Sequence, residues 1–193
     1  MSNNGGLRFL LRLSGSENIA RRYFVTNGFD GTLAMLGLIM GFRTMERAPV
    51  SVAIIACLGT AVALGVSGIS SAYISEAAER KQELGTLREA MLDGLDESAH
   101  ARAAKWVPVV IALVNGVAPF ALAQLVMLPL WLEWFGIHLP VSPFDTAIII
   151  ALFLIFLFGV FLGNVGGRFW LWAGLRTLGI GIVTLAIIWL LTP

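Results

Sequence analysis

Cysteine is nearly missing from this chain: Cys57, inside an apolar run, is the single copy in 193 residues. An intramolecular disulfide and a thiolate metal cluster are therefore excluded, and a small buried hydrophobe is the expected role of that residue. Histidine is almost as scarce, with only His100 and His138. Charge is thin as well: 13% of residues are Asp, Glu, Lys or Arg, and the formal net charge is +1. Nothing here forms the basic field that a phosphate backbone requires, so nucleic acid is not an expected partner. Walker, Rossmann, HExxH and CxxC patterns are all absent. The N-terminus lacks a secretory cleavage signal, because Arg8 and Arg12 interrupt its apolar residues and no small-residue site follows. The first helix is expected to stay.

What is plentiful is apolar surface. A hydrophobic content of 58% places the chain among integral membrane proteins, beyond what a soluble core needs. The expected fold is all-α, with about five transmembrane helices. Apolar segments run from Phe24 to Phe42, Val50 to about Tyr73, Trp106 to about Trp134, about Phe144 to Val165, and about Phe169 to Leu191. The second continues without a breaker into ISEAAERKQEL, which predicts a helix that leaves the bilayer and projects into water. The chain thus divides into an N-terminal interfacial segment (1–22), two membrane helices (23–75), a short cytosolic acidic helical region (76–105) and three further membrane helices (106–193). In the first of these, Leu7 to Leu13 alternate apolar residues with Arg8 and Arg12, as a helix lying among headgroups does. Ser14 and Glu17 are spaced to cap the helix that follows.

Orientation follows from loop charge. Arg8, Arg12, Arg21 and Arg22 precede the first span, and Arg80, Lys81, Arg88, Arg102 and Lys105 lie between the second and third. The third-to-fourth loop and the C-terminal tail hold no lysine or arginine. The positive-inside rule then puts the N-terminus in the cytosol and the C-terminus outside. Trp106, Trp131, Trp134, Trp170, Trp172 and Trp189 fall near predicted span ends, as an interfacial belt requires. In the third span, Pro119 is expected to kink the helix and free carbonyls that line a cavity.

The first span carries an acid. Asp30 lies roughly 10 Å beyond Tyr23 at the rise of an α-helix, where an ionisable group costs on the order of 2.5 to 3.5 kcal/mol and is by default a functional candidate. At about 100° per residue it shares a face with Thr26, Ala34, Gly37 and Gly41. Gly37 and Gly41 form a GxxxG, the pattern that lets two helix backbones approach in lipid. The acid is therefore expected to face a partner helix, with its own copy in a dimer as one possibility and a structural ion pair with an arginine as the bland alternative.

Two acidic rows occupy the cytosolic region. Glu76, Glu79 and Glu83 stand at i, i+3 and i+7, and Glu89, Asp93 and Glu97 at i, i+4 and i+8 with His100 one turn on. Clustered carboxylates with a histidine suit Mn²⁺ or Fe²⁺. The competing reading is a solvated face laced by pairs such as Glu76 with Arg80. Gly65, Val66, Ser67 and Gly68 spell GxSG, which resembles the nucleophile motif of rhomboid intramembrane proteases. Such a serine needs a histidine base in reach, and both histidines fall in predicted extramembrane segments. Small-residue packing explains the four residues, and no enzymatic activity is expected.

RRYFVTNGFDGTLAMLGLIMGF, GVSGISSAYISEAAERKQEL, VNGVAPF and GGRFWLWAGLRTLGIG together resemble the vacuolar iron transporter family, particularly its compact prokaryotic relatives. That resemblance implies a five-span homodimer exporting Fe²⁺ or Mn²⁺ from the cytosol in exchange for protons. It implies a translocation path between subunits that includes Asp30, with Thr26 and Asn27 nearby, and metal-collecting roles for Glu76, Glu79, Glu83 and Glu89. No cofactor is implied, since the metal is cargo, and a prokaryotic plasma membrane is the expected host. The chain departs from the family at Gly68 to Tyr73, where many members carry a methionine and this one has no soft ligand. The alternative from another class is a non-transporting dimeric scaffold or metal sensor with an acidic cytosolic region.

Overall fold

The computed structural model describes residues 16–45, 48–90, 99–167 and 169–192. Among them the regular structure is helical: α1 (Ser16–Thr44), α2 (Val50–Ala90), α3 (Ala99–Trp134), α4 (Pro143–Val165) and α5 (Trp170–Leu191). Four helices, over Val50–Thr86, Arg102–Trp134, Pro143–Val165 and Trp170–Leu191, are long and apolar enough to cross a bilayer. The protein is an all-α, multi-pass membrane protein on that basis. The first helix is long enough at 29 residues but falls outside those four, because Thr26, Asn27, Asp30 and Thr32 dilute its apolar middle.

Two compact units make up the chain. The larger comprises Gly28–Leu64 with the described residues from Pro119 onward. Its core is a contiguous cluster to which α1 gives Met35, Leu36 and Ile39, α2 gives Ala53, Ile54, Cys57 and Ala61, α3 gives Ala123, Val126, Met127 and Leu130, and α4 gives Ala147, Ala151, Leu154 and Ile155. Cys57 is fully buried there, as its surroundings in the sequence predicted. Close approach of α1 to α3 depends on two glycines: a Cβ at Gly31 would stand 2.7 Å from the Pro119 ring, and one at Gly28 would stand 2.6 Å from the Leu122 side chain.

In the same unit α4 and α5 form a hairpin whose seam is also built of small residues. A side chain at Gly159 would run into Thr177 and the Ala173 carbonyl, and one at Gly181 would meet Leu152 at 2.9 Å. The Thr177 hydroxyl donates across the seam to the Ile155 carbonyl at 3.0 Å, the kind of polar bond that holds membrane helices together. Gly167, at φ 64°, makes the turn between them, a conformation an L residue rarely adopts.

The smaller unit comprises the described residues up to Asn27 with Gly65–Ala118. Ala72, Ala103, Val107, Ile111 and Ala112 form its core, with Ile19, Ala20 and Tyr23 of α1 packed against them. Here α2 and α3 touch backbone to backbone, since a Cβ at Gly116 would overlap the Gly65 carbonyl and the Ile69 side chain. Pro119 offers no N–H to the Asn115 carbonyl four residues earlier. That carbonyl lies against Gly68, 2.9 Å from where a Cβ would be, so the group the proline releases sits in a helix seam. α3 itself runs unbroken through Pro108, Pro119 and Pro129.

Candidate functional site

The two faces of α1 differ sharply in the larger unit. Gly28, Gly31, Thr32, Met35, Leu36 and Ile39 are buried, and Thr32 returns its hydroxyl to the Gly28 carbonyl at 2.8 Å, so no polar group on that face is left unmet. Asp30, on the opposite side, is exposed, and Ala34, Gly37 and Gly41 along its face are only half-buried. A Cβ at Gly41 would meet nothing within 4 Å, and one at Gly37 would meet only the tip of Ile188 at 3.5 Å. Among the described residues the glycines of this row therefore make no close helix contact within the chain. No hydrogen bond or ion pair engages the Asp30 carboxylate among the described residues. In the smaller unit, Thr26 is exposed and Asn27 half-buried.

Arg43, at the end of α1, pairs with another acid. Arg43 Nε donates to Asp145 Oδ1 at 2.6 Å, joining the end of α1 to the first turn of α4. Both partners are substantially exposed, which limits the pair to at most about 1 kcal/mol.

The acidic row on α2 is split by burial. Glu76 is 2% exposed and Arg80 7%, one helical turn beyond Ala72 in the core of the smaller unit. Arg80 Nη1 bonds Glu83 Oε2 at 2.6 Å, while its Nη2 stands 3.9 Å from Glu76 Oε2. Glu76 Oε2 accepts no hydrogen bond among the described residues; burial first, and then the charges of Glu79 and Glu83, push its pKa above the usual carboxylate value, while Arg80 and Arg22 oppose the rise. Arg22 itself lies over the Tyr23 ring, 5.8 Å from the centroid. Glu79 and Glu83 are exposed. The expected face of three carboxylates is thus one buried acid, tied through an arginine to one exposed acid, with Glu79 exposed and near enough to repel the buried one. Among the described residues no group of three His, Cys, Asp or Glu side chains is placed to hold a metal ion. Asp93 and Glu97 lie outside the described residues, and so do the side chains of Glu89 and His100. The interfacial segment at Leu7–Leu13 and the Ser14 cap lie outside them too.

Asn115 is a further buried polar side chain of this unit, 3% exposed. Its Nδ2 donates to the Gly68 carbonyl at 2.7 Å. Gly65 is buried and Ser67 exposed, so the glycines of the GxSG stretch serve the α2–α3 contact.

No protein-family profile matches the chain. No solved structure matches it either. Over 147 residues it is 29% identical to an uncharacterized protein of Methanocaldococcus jannaschii, a stretch covering 75% of this chain and 73% of that one.

Three features escaped the reading of the sequence. Gly28 and Gly31 make the close contact inside the chain, although the GxxxG that the sequence displays is Gly37 and Gly41; the adjacency of Gly31 to a buried proline has no signature in one sequence. Asp145 pairs Arg43 across 102 positions, a distance no local pattern spans. Arg176 was legible by the same rule that marked Asp30, since it interrupts the apolar run of α5.

Proposed function

We propose that this chain is a divalent transition-metal transporter that moves Fe²⁺ or Mn²⁺ out of the cytosol in exchange for protons, along a path at the interface of two copies. The observation that carries the reading is the state of Asp30: an acid in an apolar helix, exposed on its own subunit and without an arginine partner among the described residues. A carboxylate facing lipid alone would be costly. A second copy applied to the Ala34, Gly37, Gly41 face would bring two such acids together, with Thr26 and Asn27 one turn away on the same helix. Two carboxylates in a poorly hydrated seam cannot both stay charged without a counter-ion. A divalent cation supplies that charge, and protons supply it once the cation has left, which is the physical content of exchange.

In this reading α1 joins the four more apolar helices as a membrane span, the N-terminus is cytosolic, and the end of α2 projects into the cytosol. At 41 residues, α2 is about 60 Å long, roughly twice the hydrocarbon thickness. Resemblance supports the choice of metal. The ion pairing of Glu76 and Glu83 through Arg80 favours a structural use for that part of the acidic region, and a scaffold or sensor is the second reading it supports.

The test is uptake of Mn²⁺ or Fe²⁺ by proteoliposomes with an imposed proton gradient, for the natural chain and for Asp30→Asn. Flux that collapses on dissipating the gradient and is lost in the variant is expected. Equal flux in both proteins removes Asp30 from the path, and metal binding without any flux points to the sensor.

A further inference from the structure

We infer that the cleft between α4 and α5 around Arg176 is a binding site for the phosphate of an anionic phospholipid. The cleft has a volume of about 660 Å³, in the range of small-molecule sites. One wall is lined by Gly159, Gly163 and Gly166 of α4, with Gly159 closed off by Thr177, and the other carries Phe169, Trp172 and Arg176 of the α5 side.

Arg176 lies about 9 Å along α5 from Trp170, inside a helix long and apolar enough to span the membrane. It is exposed, and no carboxylate or carbonyl engages it among the described residues. The neighbouring Thr177 hydroxyl is not available to an incoming group, since it is spent on the Ile155 and Gly174 carbonyls at 3.0 and 2.9 Å. A guanidinium at this depth must reach an interface or meet an anion, and its planar fork of donors matches phosphate oxygens. Trp172, 71% exposed, and Phe169, 60% exposed, flank it as interfacial aromatics do.

The character of the walls selects the source of the anion. Leu162 and Leu175 extend the lining, so the space beside the cation is apolar. A free phosphate would bring its charge there and leave those walls wet or empty. A phospholipid sets its phosphodiester on Arg176 and lays the first methylenes of a chain against the apolar lining at Leu162, Gly166 and Phe169. Net negative lipids are favoured over zwitterionic ones because a choline head brings a second cation to a site that already has one.

The experiment uses the full chain, reconstituted in vesicles of phosphatidylcholine and phosphatidylglycerol, extracted into mild detergent and weighed by native mass spectrometry. Retained phosphatidylglycerol on the natural chain is expected, with occupancy reduced about fivefold in Arg176→Gln and largely kept in Arg176→Lys. Melting temperatures of all three should agree once lipid is stripped by detergent, because no hydrogen bond or ion pair engages Arg176 among the described residues. Equal phosphatidylglycerol occupancy in the natural and Gln forms overturns the proposal. So does displacement of the lipid by inorganic phosphate, which makes this a free-anion site, and so does loss of the dimer mass in Arg176→Gln, which makes the cleft a contact between subunits.

Discussion

Glu76 is the residue whose environment is hardest to reverse. A carboxylate 2% exposed with one oxygen lacking a hydrogen bond among the described residues keeps its charge through Arg80 and Arg22, against burial and Glu79. Removing one partner of a buried pair leaves the other uncompensated and costs about 3 to 5 kcal/mol. Arg80→Ala should accordingly depress the melting temperature strongly, and Glu76→Gln in the same chain should recover much of the loss. Glu83, 59% exposed in its side chain, belongs to the class of surface pairs worth roughly 0 to 1 kcal/mol. Melting of Glu83→Gln close to that of the natural protein is the matching control; a loss as large as that of Arg80→Ala would mean that the exposed half of the pair is the one that matters.

Helix against helix, the seams are made by glycines in pairs. Gly116 faces Gly65 and Ile69 with no room for a Cβ, whereas Gly59 on the same α2 has nothing within 4 Å. Gly116→Val should cost at least 1 to 3 kcal/mol, roughly the penalty for overpacking, while Gly59→Ala should be neutral or gain up to about 1 kcal/mol from the stiffer backbone. Unfolding in detergent compares the two directly, and similar losses would contradict the seam. The helices themselves were legible: the expected apolar segments fall within α1 to α5, and the unbroken passage from Val50 into the charged stretch is one helix. Their pairing was not. Periodicity marks Gly37 and Gly41 as small, but whether a small residue meets its own chain or another depends on which helices become neighbours. The candidate site was legible to the same degree, Asp30 standing out by its cost in lipid and Glu76 only as one of a row, because nothing in the row's spacing says which of its carboxylates the fold buries.

For the whole molecule, the proposed dimer and topology make separate claims. Gly41 has open space around it in the subunit, so Gly41→Ile should leave the monomer folded while lowering the dimer fraction seen by light scattering, and metal flux should fall with it. A variant that stays dimeric and transports normally would place the subunit contact elsewhere. Cys57 is fully buried, which leaves a quiet background for labelling. In a Cys57→Ser chain, single cysteines at Ser142 and Thr192 should react with an impermeant reagent from outside the cell, and one at Gly167 only after the membrane is opened. Labelling of Gly167 from outside would invert the orientation.

The turn at Gly166 and Gly167 also bears on how the chain enters its membrane. With only 166–169 between α4 and α5, the two helices leave the ribosome nearly together and are held antiparallel by their glycine seam. α5 carries Arg176, Thr177 and Thr184, a poor cargo for insertion alone, while α4 carries no charge beyond its first turn. The pair is then suited to partition as one hairpin, the apolar helix carrying in the polar one, so that a long spacer between them should lower the yield of membrane-inserted protein.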